Sequence, residues 1–243
     1  MTANQDPKVR FAETLFGIYP EFLPTQALYL DLEGRSSGPQ DILSCYWPVL
    51  SGSKRFSWIR RTNSSEIDLA SVEAHLEEIG AAGAKWIVVY SAGQLLPDER
   101  DRVIGMLGQD PFPGGEWINL LHVVQRCTEM RGSIREHGYA WYERDQTRIR
   151  NSLEALEWEF SIKRPVSLRS HSYRYKDLDG GAGSMEVLST ARRSMEGSAE
   201  KEEETALRAY CEADVKHMFE IANASEHLVF SRDERRVRRQ LYS

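Results

Sequence analysis

From residue 27 to 33 the chain reads Ala27-Leu28-Tyr29-Leu30-Asp31-Leu32-Glu33, an apolar run whose final acids alternate with leucine. Its length and flanking turn residues predict a strand. Similar signals predict strands over 41–49 and 55–60, separated by Arg35-Ser36-Ser37-Gly38-Pro39 and Leu50-Ser51-Gly52-Ser53. These three strands form a meander. Apolar and aromatic residues at mixed spacing over 9–23 predict a short helix ahead of it. A helix over 69–79 then leads through Gly80-Ala81-Ala82-Gly83 to a strand over 85–91, a crossover that makes this strand parallel by the right-handed rule. Further helices are predicted over 98–107, 120–130, 149–160, 184–194 and 202–224. The expectation is an α/β fold.

Composition adds limits. The chain has 243 residues, 41% hydrophobic and 28% charged, which is the balance of a soluble globular protein. One domain over 1–243 is the simplest count, with its core over about 26–224 and a basic tail over 225–243. No apolar run is long enough to span a bilayer, and the first residues do not read as a secretory signal, so cytoplasm is the default location. Cys45, Cys127 and Cys211 are far apart and odd in number, so buried free thiols are expected rather than disulfides or a zinc site. The net charge of −6 counts modestly against a nucleic-acid partner. Basic residues do cluster locally, at Lys54-Arg55, Arg60-Arg61, Arg148, Arg150, Lys163-Arg164 and most densely in the tail over 231–240. That tail reads either as a phosphate-tracking segment or as a solvated helical end partly neutralised by Asp233 and Glu234.

The candidate chemistry begins at the first strand. Alternation along a strand points Asp31 and Glu33 to the same face. Side by side, two carboxylates repel unless a cation, a shared proton or a basic partner neutralises them. Hard divalent ions such as Mg²⁺ or Mn²⁺ favour oxygen ligands of this kind. A second feature lies in the last long helical pattern, Ala209-Tyr210-Cys211-Glu212-Ala213-Asp214-Val215. Tyr210 and Asp214 are four apart and share one helix face. Leu207, Val215, Met218, Phe219 and Ala222 fall on or beside that face, which puts Asp214 on or near the core-directed stripe. A core-facing carboxylate is costly unless paired or metal-bound. The plainer alternative is a solvated Asp214 beside a half-buried Tyr210.

Together the two features resemble the DEDD superfamily of 3′→5′ exonucleases, in the subgroup that uses tyrosine. The likeness extends to the exonuclease domains that accompany or resemble RecB-type nucleases. Val88-Val89-Tyr90-Ser91, Trp117-Ile118-Asn119-Leu120-Leu121 and Ser152-Leu153-Glu154-Ala155-Leu156 follow in that family's order, and the similarity covers roughly 26 to 224. The resemblance implies a ribonuclease H-like mixed sheet, a three-strand antiparallel meander plus parallel strands, flanked by helices. It implies hydrolysis of DNA or RNA phosphodiester bonds with two Mg²⁺ or Mn²⁺ ions. Asp31 and Asp214 would hold or bridge the ions, Glu33 would ligate one, and Tyr210 would orient the attacking water.

The sequence also departs from the family. Its second motif places an acid near the strand that ends at Tyr90, yet Ser91-Ala92-Gly93-Gln94-Leu95-Leu96 carries none. Pro97 suits a first helical position and puts Asp98 and Glu99 in the first turn. Glu99, with Val103 and Leu107 four and eight residues on, best matches an inward-facing ligand, and Asp98 is its substitute; ordinary helix-start acids are the competing reading. Asn119 stands where relatives often carry Asp.

Two further segments draw attention. Ser170-His171-Ser172-Tyr173-Arg174-Tyr175-Lys176 mixes aromatic and cationic residues, so His171, Arg174 and Lys176 are weak candidates for contacting a single strand. Asp177 and Asp179, before Gly180-Gly181, read first as turn residues. The segment over 132–146, with Tyr139, Trp141 and Tyr142 among charges, reads as an insertion able to meet nucleic acid or protein. Two other functional readings stand beside the exonuclease. One is a ribonuclease H-like interaction module with a decayed site; the other is a different α/β enzyme such as a small hydrolase. Against the last, the chain has neither a Gly-x-Ser-x-Gly elbow nor a Gly-x-x-x-x-Gly-Lys phosphate loop.

Overall fold

A computed structural model describes residues 6–34, 40–48, 55–60, 67–91, 99–141, 153–163, 193, 199 and 201–242. Helix α1 spans Pro7–Ile18. Asp6 caps it by accepting from the Lys8 amide, with Pro7 at the first helical position, so it begins earlier than the hydrophobic pattern alone predicts. It also ends earlier, because Pro20 pushes Tyr19 out of helical geometry. The meander follows as β1 (Ala27–Gly34), β2 (Gln40–Tyr46) and β3 (Phe56–Arg60). Both of its pairings are antiparallel.

Helix α2 (Leu69–Glu78), capped by Asp68, crosses over to β4 (Trp86–Val89), which pairs parallel with β1 as expected. Helix α3 (Glu99–Leu107) leads to β5 (Glu116–Asn119), parallel to β4. The sheet order is therefore β3-β2-β1-β4-β5. The fifth strand is not among the sequence expectations: only four residues long, it runs straight into Leu120-Leu121, which carry a helical signal. Gly115 prepares its entry, since a β-carbon there would overlap Ile87 Cδ1 on β4.

Helix α4 (Leu120–Arg126) and helix α5 (Thr128–Trp141) replace the single helix expected over 120–130, because Cys127 adopts an extended conformation between them. The expected insertion is in part this second helix, which carries Gly132, Tyr139 and Trp141; residues 142–146 lie outside the described residues. Helix α6 (Leu153–Glu159) precedes the long helix α7 (Lys201–Val229) and the terminal helix α8 (Arg232–Tyr242). The helix expected over 184–194 falls almost wholly outside the described residues.

The sheet has two covered faces. Leu28, Leu30 and Leu32 of β1 point to one, where Val72 and Leu76 of α2 and Val103 of α3 pack. Ala27 and Tyr29 point to the other, beneath α1, α4, α5, α6 and α7. By alternation Asp31 and Glu33 share the face of Tyr29 and look toward α7. That helix presents Leu207, Cys211, Asp214, Met218, Ile221 and Ser225, spaced alternately by four and three, all buried. Its first turn is tied down by Glu204 to Arg60 of β3 and by Glu203 to Arg193 (2.7 Å). Cys45, Cys127 and Cys211 are free and buried, and among the described residues no helix is long and apolar enough to cross a membrane.

Candidate metal centre

The end of β1 and the middle of α7 meet on the covered face. Asp31, Glu33 and Asp214 each offer a carboxylate oxygen, and the three oxygens lie within 4.8 Å of one another. Asp214 is 6% exposed; Asp31 and Glu33 are part-exposed. Three residues predicted from separate ends of the sequence are thus brought together by the sheet's alternation and the buried stripe of α7.

The electrostatics of this cluster are those of carboxylates lacking enough positive charge. Burial pushes the Asp31 carboxyl well above its ordinary range, and the charges of Asp214 and Glu99 push it further; Arg102 and the Leu32 backbone pull the other way. Glu33 is raised in the same sense, by burial first and then by Asp31, Asp214 and Glu99, with Arg102 again opposing. The neighbouring Cys211 thiol is raised by burial first and then by the charges of Glu33, Asp214 and Asp31. Ser44 faces Asp31 across the β1–β2 ladder and is fully buried. The donor set is oxygen-rich, negatively charged and compact, which fits a hard divalent cation such as Mg²⁺ or Mn²⁺.

Glu99 occupies the first turn of α3, as the sequence predicts, and is 4% exposed. It sits outside the tight trio, close enough to raise both Asp31 and Glu33. Its two oxygens lie 2.9 and 2.8 Å from Nη1 of Arg102, one turn on. Tyr210, one turn before Asp214, is part-buried against the core. Asn119 has a clear structural task. Its side-chain oxygen accepts from the Leu121 amide (3.0 Å), capping α4, and from the Ser91 amide (3.3 Å), while its Nδ2 donates to the Ser91 carbonyl (3.4 Å). A carboxylate has no proton for that last bond, so an amide suits the position better than Asp.

Asp98, His171, Arg174, Lys176, Asp177 and Asp179 all lie outside the described residues.

Three participants are absent from the sequence expectations. Arg102 is one; its signal is the i,i+3 spacing from Glu99. The others are His217 and Glu157, a buried pair with Nδ1 donating to Oε1 at 3.0 Å, which joins α7 to α6. His217 continues the row Tyr210–Asp214–His217 at four- and three-residue steps. Burial, and after it the Glu157 charge, pushes the Tyr90 phenol well up. A polar brace thus stands beside the acids on α7.

Comparison of the chain with protein-family models, with curated proteins and with solved structures finds no match.

Proposed function

We propose that the protein is a divalent-metal-dependent nuclease that hydrolyses phosphodiester bonds of DNA or RNA at the Asp31–Glu33–Asp214 centre. The observation that carries this reading is the convergence of three carboxylate oxygens within 4.8 Å on a covered face. The strand order β3-β2-β1-β4-β5, antiparallel on one side of β1 and parallel on the other, supports a ribonuclease H-like fold. In such a fold the first strand and the last long helix would bring their acids together as they do here. The Tyr-x-x-x-Asp spacing on α7 supports 3′→5′ exonuclease action, by the resemblance noted above.

A divalent ion would supply Lewis-acid activation of the phosphate. The protein's own groups would do the rest. Asp31, Glu33 and Asp214 would hold the ion and so set where the scissile phosphate lies. The Tyr210 hydroxyl, one turn from Asp214, would orient the attacking water, because it can both donate and accept. The Glu157–His217 pair joins α7 to α6, and the Asn119 side chain ties the start of α4 to Ser91 beyond β4.

A second reading is an interaction module of the same fold whose catalysis has decayed or awaits a partner. The Glu99–Arg102 ion pair and the net charge of −6 favour it. Digestion of end-labelled single- and double-stranded DNA and RNA with Mg²⁺, Mn²⁺ or EDTA separates the two. The nuclease reading expects metal-dependent shortening from the 3′ end, lost in Asp31→Ala and Asp214→Ala. Intact substrates with a folded wild-type protein in either metal would reject it in favour of the module.

A further inference from the structure

Helix α8 carries five arginines, of which Arg238 alone is buried. At 3.6 residues per turn, Arg232, Arg236 and Arg239 fall within about 60° of one another and run about 10 Å along the helix axis. All three are exposed. The stripe they form has a fixed direction, because Arg238 donates to the Pro20 and Phe22 carbonyls from another side of the helix. A capping box also fixes the helix start: Glu234 accepts from the Ser231 amide at 2.7 Å, and Ser231 Oγ accepts from the Glu234 amide at 3.3 Å. Glu234 is thus engaged in the cap. Arg232 and Arg236 make no ion pair with a described residue, and Arg239 Nη2 lies 3.8 Å from Glu226. Like charges three and four residues apart destabilise a helix, and a cation in its first turn opposes the dipole. Neither helix stability nor ion pairing therefore accounts for the stripe. Its field also reaches α7, where His227 is held below its ordinary value by burial first and then by Arg235 and Arg239.

We propose that the outward face of α8 is a nucleic-acid docking surface, on which Arg232, Arg236 and Arg239 hold the phosphate backbone of a strand. Charge complementarity names the occupant: a stripe about 10 Å long faces about three successive phosphates, each a site for a guanidinium fork. Contacts of this kind fix a strand in place without reading its bases. An anionic membrane is the competing polyanion, but a helix lying on one needs a broad free apolar face. Helix α8 offers only Val237 and Leu241, 49% and 67% exposed, on a flank away from the stripe, while Tyr242 packs against the core. The surface is separate from the metal centre, since Glu226, the contact of Arg239, lies about 18 Å further along α7 than Asp214. Docking there goes beyond the proposed cleavage and does not depend on it.

The test is fluorescence anisotropy of a labelled single-stranded oligothymidylate with the full chain in EDTA, over a range of NaCl concentrations, with folding checked by circular dichroism. Wild type is expected to bind, with an affinity that falls as salt rises. Arg232→Gln/Arg236→Gln should weaken binding about tenfold or more at low salt and flatten the slope of log affinity against log salt by about 1–1.5. Arg232→Lys/Arg236→Lys, which keeps the charges, should retain most of the affinity. Arg131→Gln/Arg135→Gln removes the same charge from an exposed pair on α5 and should bind as wild type does. Equal losses in the α5 and α8 variants would overturn the inference, as would wild-type affinity and slope in Arg232→Gln/Arg236→Gln. Failure of wild type to bind the oligonucleotide, or its attachment to phosphatidylserine vesicles in preference to the oligonucleotide, would overturn it too. The nuclease reading is decided separately, by digestion with Mg²⁺ or Mn²⁺.

Discussion

Asp31 and Glu33 titrate near their ordinary 3.8 and 4.5 in an unfolded chain, yet both are held well above those values in the fold. Between the unfolded and folded pKa values the native state therefore binds more protons than the unfolded state. Stability must fall as pH rises through that window, and the contribution of these groups is most favourable below the unfolded values. A divalent ion competes with those same protons and stabilises the native state most where the carboxylates are ionised. In EDTA, the melting temperature of wild type should drop relative to Asp31→Asn, which removes one of the repelling charges, as pH rises above the unfolded-chain values. At high pH Asp31→Asn should be the more stable protein. Saturating Mg²⁺ should reverse that order. Thermal denaturation with and without Mg²⁺ reads all three. An Asp31→Asn protein that melts below wild type in EDTA at high pH would contradict the assigned charge repulsion.

The terminal helix α8 shows how an element can contradict the impression its composition gives. Over residues 232–242 five arginines suggest a solvated basic tail, yet Arg238 is only 9% exposed. Its Nη1 donates to the Pro20 carbonyl at 2.5 Å and its Nη2 to the Phe22 carbonyl at 2.8 Å, binding α8 to the turn after α1. The guanidinium also lies 4.1 Å from the Phe230 ring centre and 5.2 Å from that of Phe16. Beneath it Glu226 is fully buried, raised by desolvation and offset by Arg239, Arg238 and Arg235. Arg238→Ala should cost about 2–4 kcal/mol by urea denaturation. Arg238→Lys should recover only part of it, lacking the planar fork. Arg236→Ala, on the exposed face, should leave the midpoint unchanged; equal midpoints for Arg238→Ala and Arg236→Ala would refute the anchoring role.

Legibility follows the same physics. The strands of the meander, β4 and α7 could be read because each carries its own local periodicity or turn signal. β5 could not, since four residues before a leucine pair declare themselves only through pairing with β4. Arg238 was unreadable for a related reason: its carbonyl acceptors are more than two hundred positions away.

At the scale of the whole molecule, a chain of net charge −6 brings three carboxylates together where the first strand meets the last long helix among the described residues. The sequence exposed Asp31, Glu33 and Asp214 because strand alternation and helical spacing each constrain a side chain's direction. It did not expose Arg102 or the Glu157–His217 brace, whose meaning depends on which charges the fold brings beside them. An acidic protein gains little long-range attraction for a polyanion, so recognition of nucleic acid would depend on local positive charge, including that of the bound ion. The account therefore stands or falls on a cation at the three carboxylates. The most direct measurement is anomalous scattering from crystals soaked in Mn²⁺. The account predicts a peak about 2.1 Å from a carboxylate oxygen of each of Asp31, Glu33 and Asp214. Fully soaked crystals with no peak there, or with manganese bound only elsewhere, would contradict it.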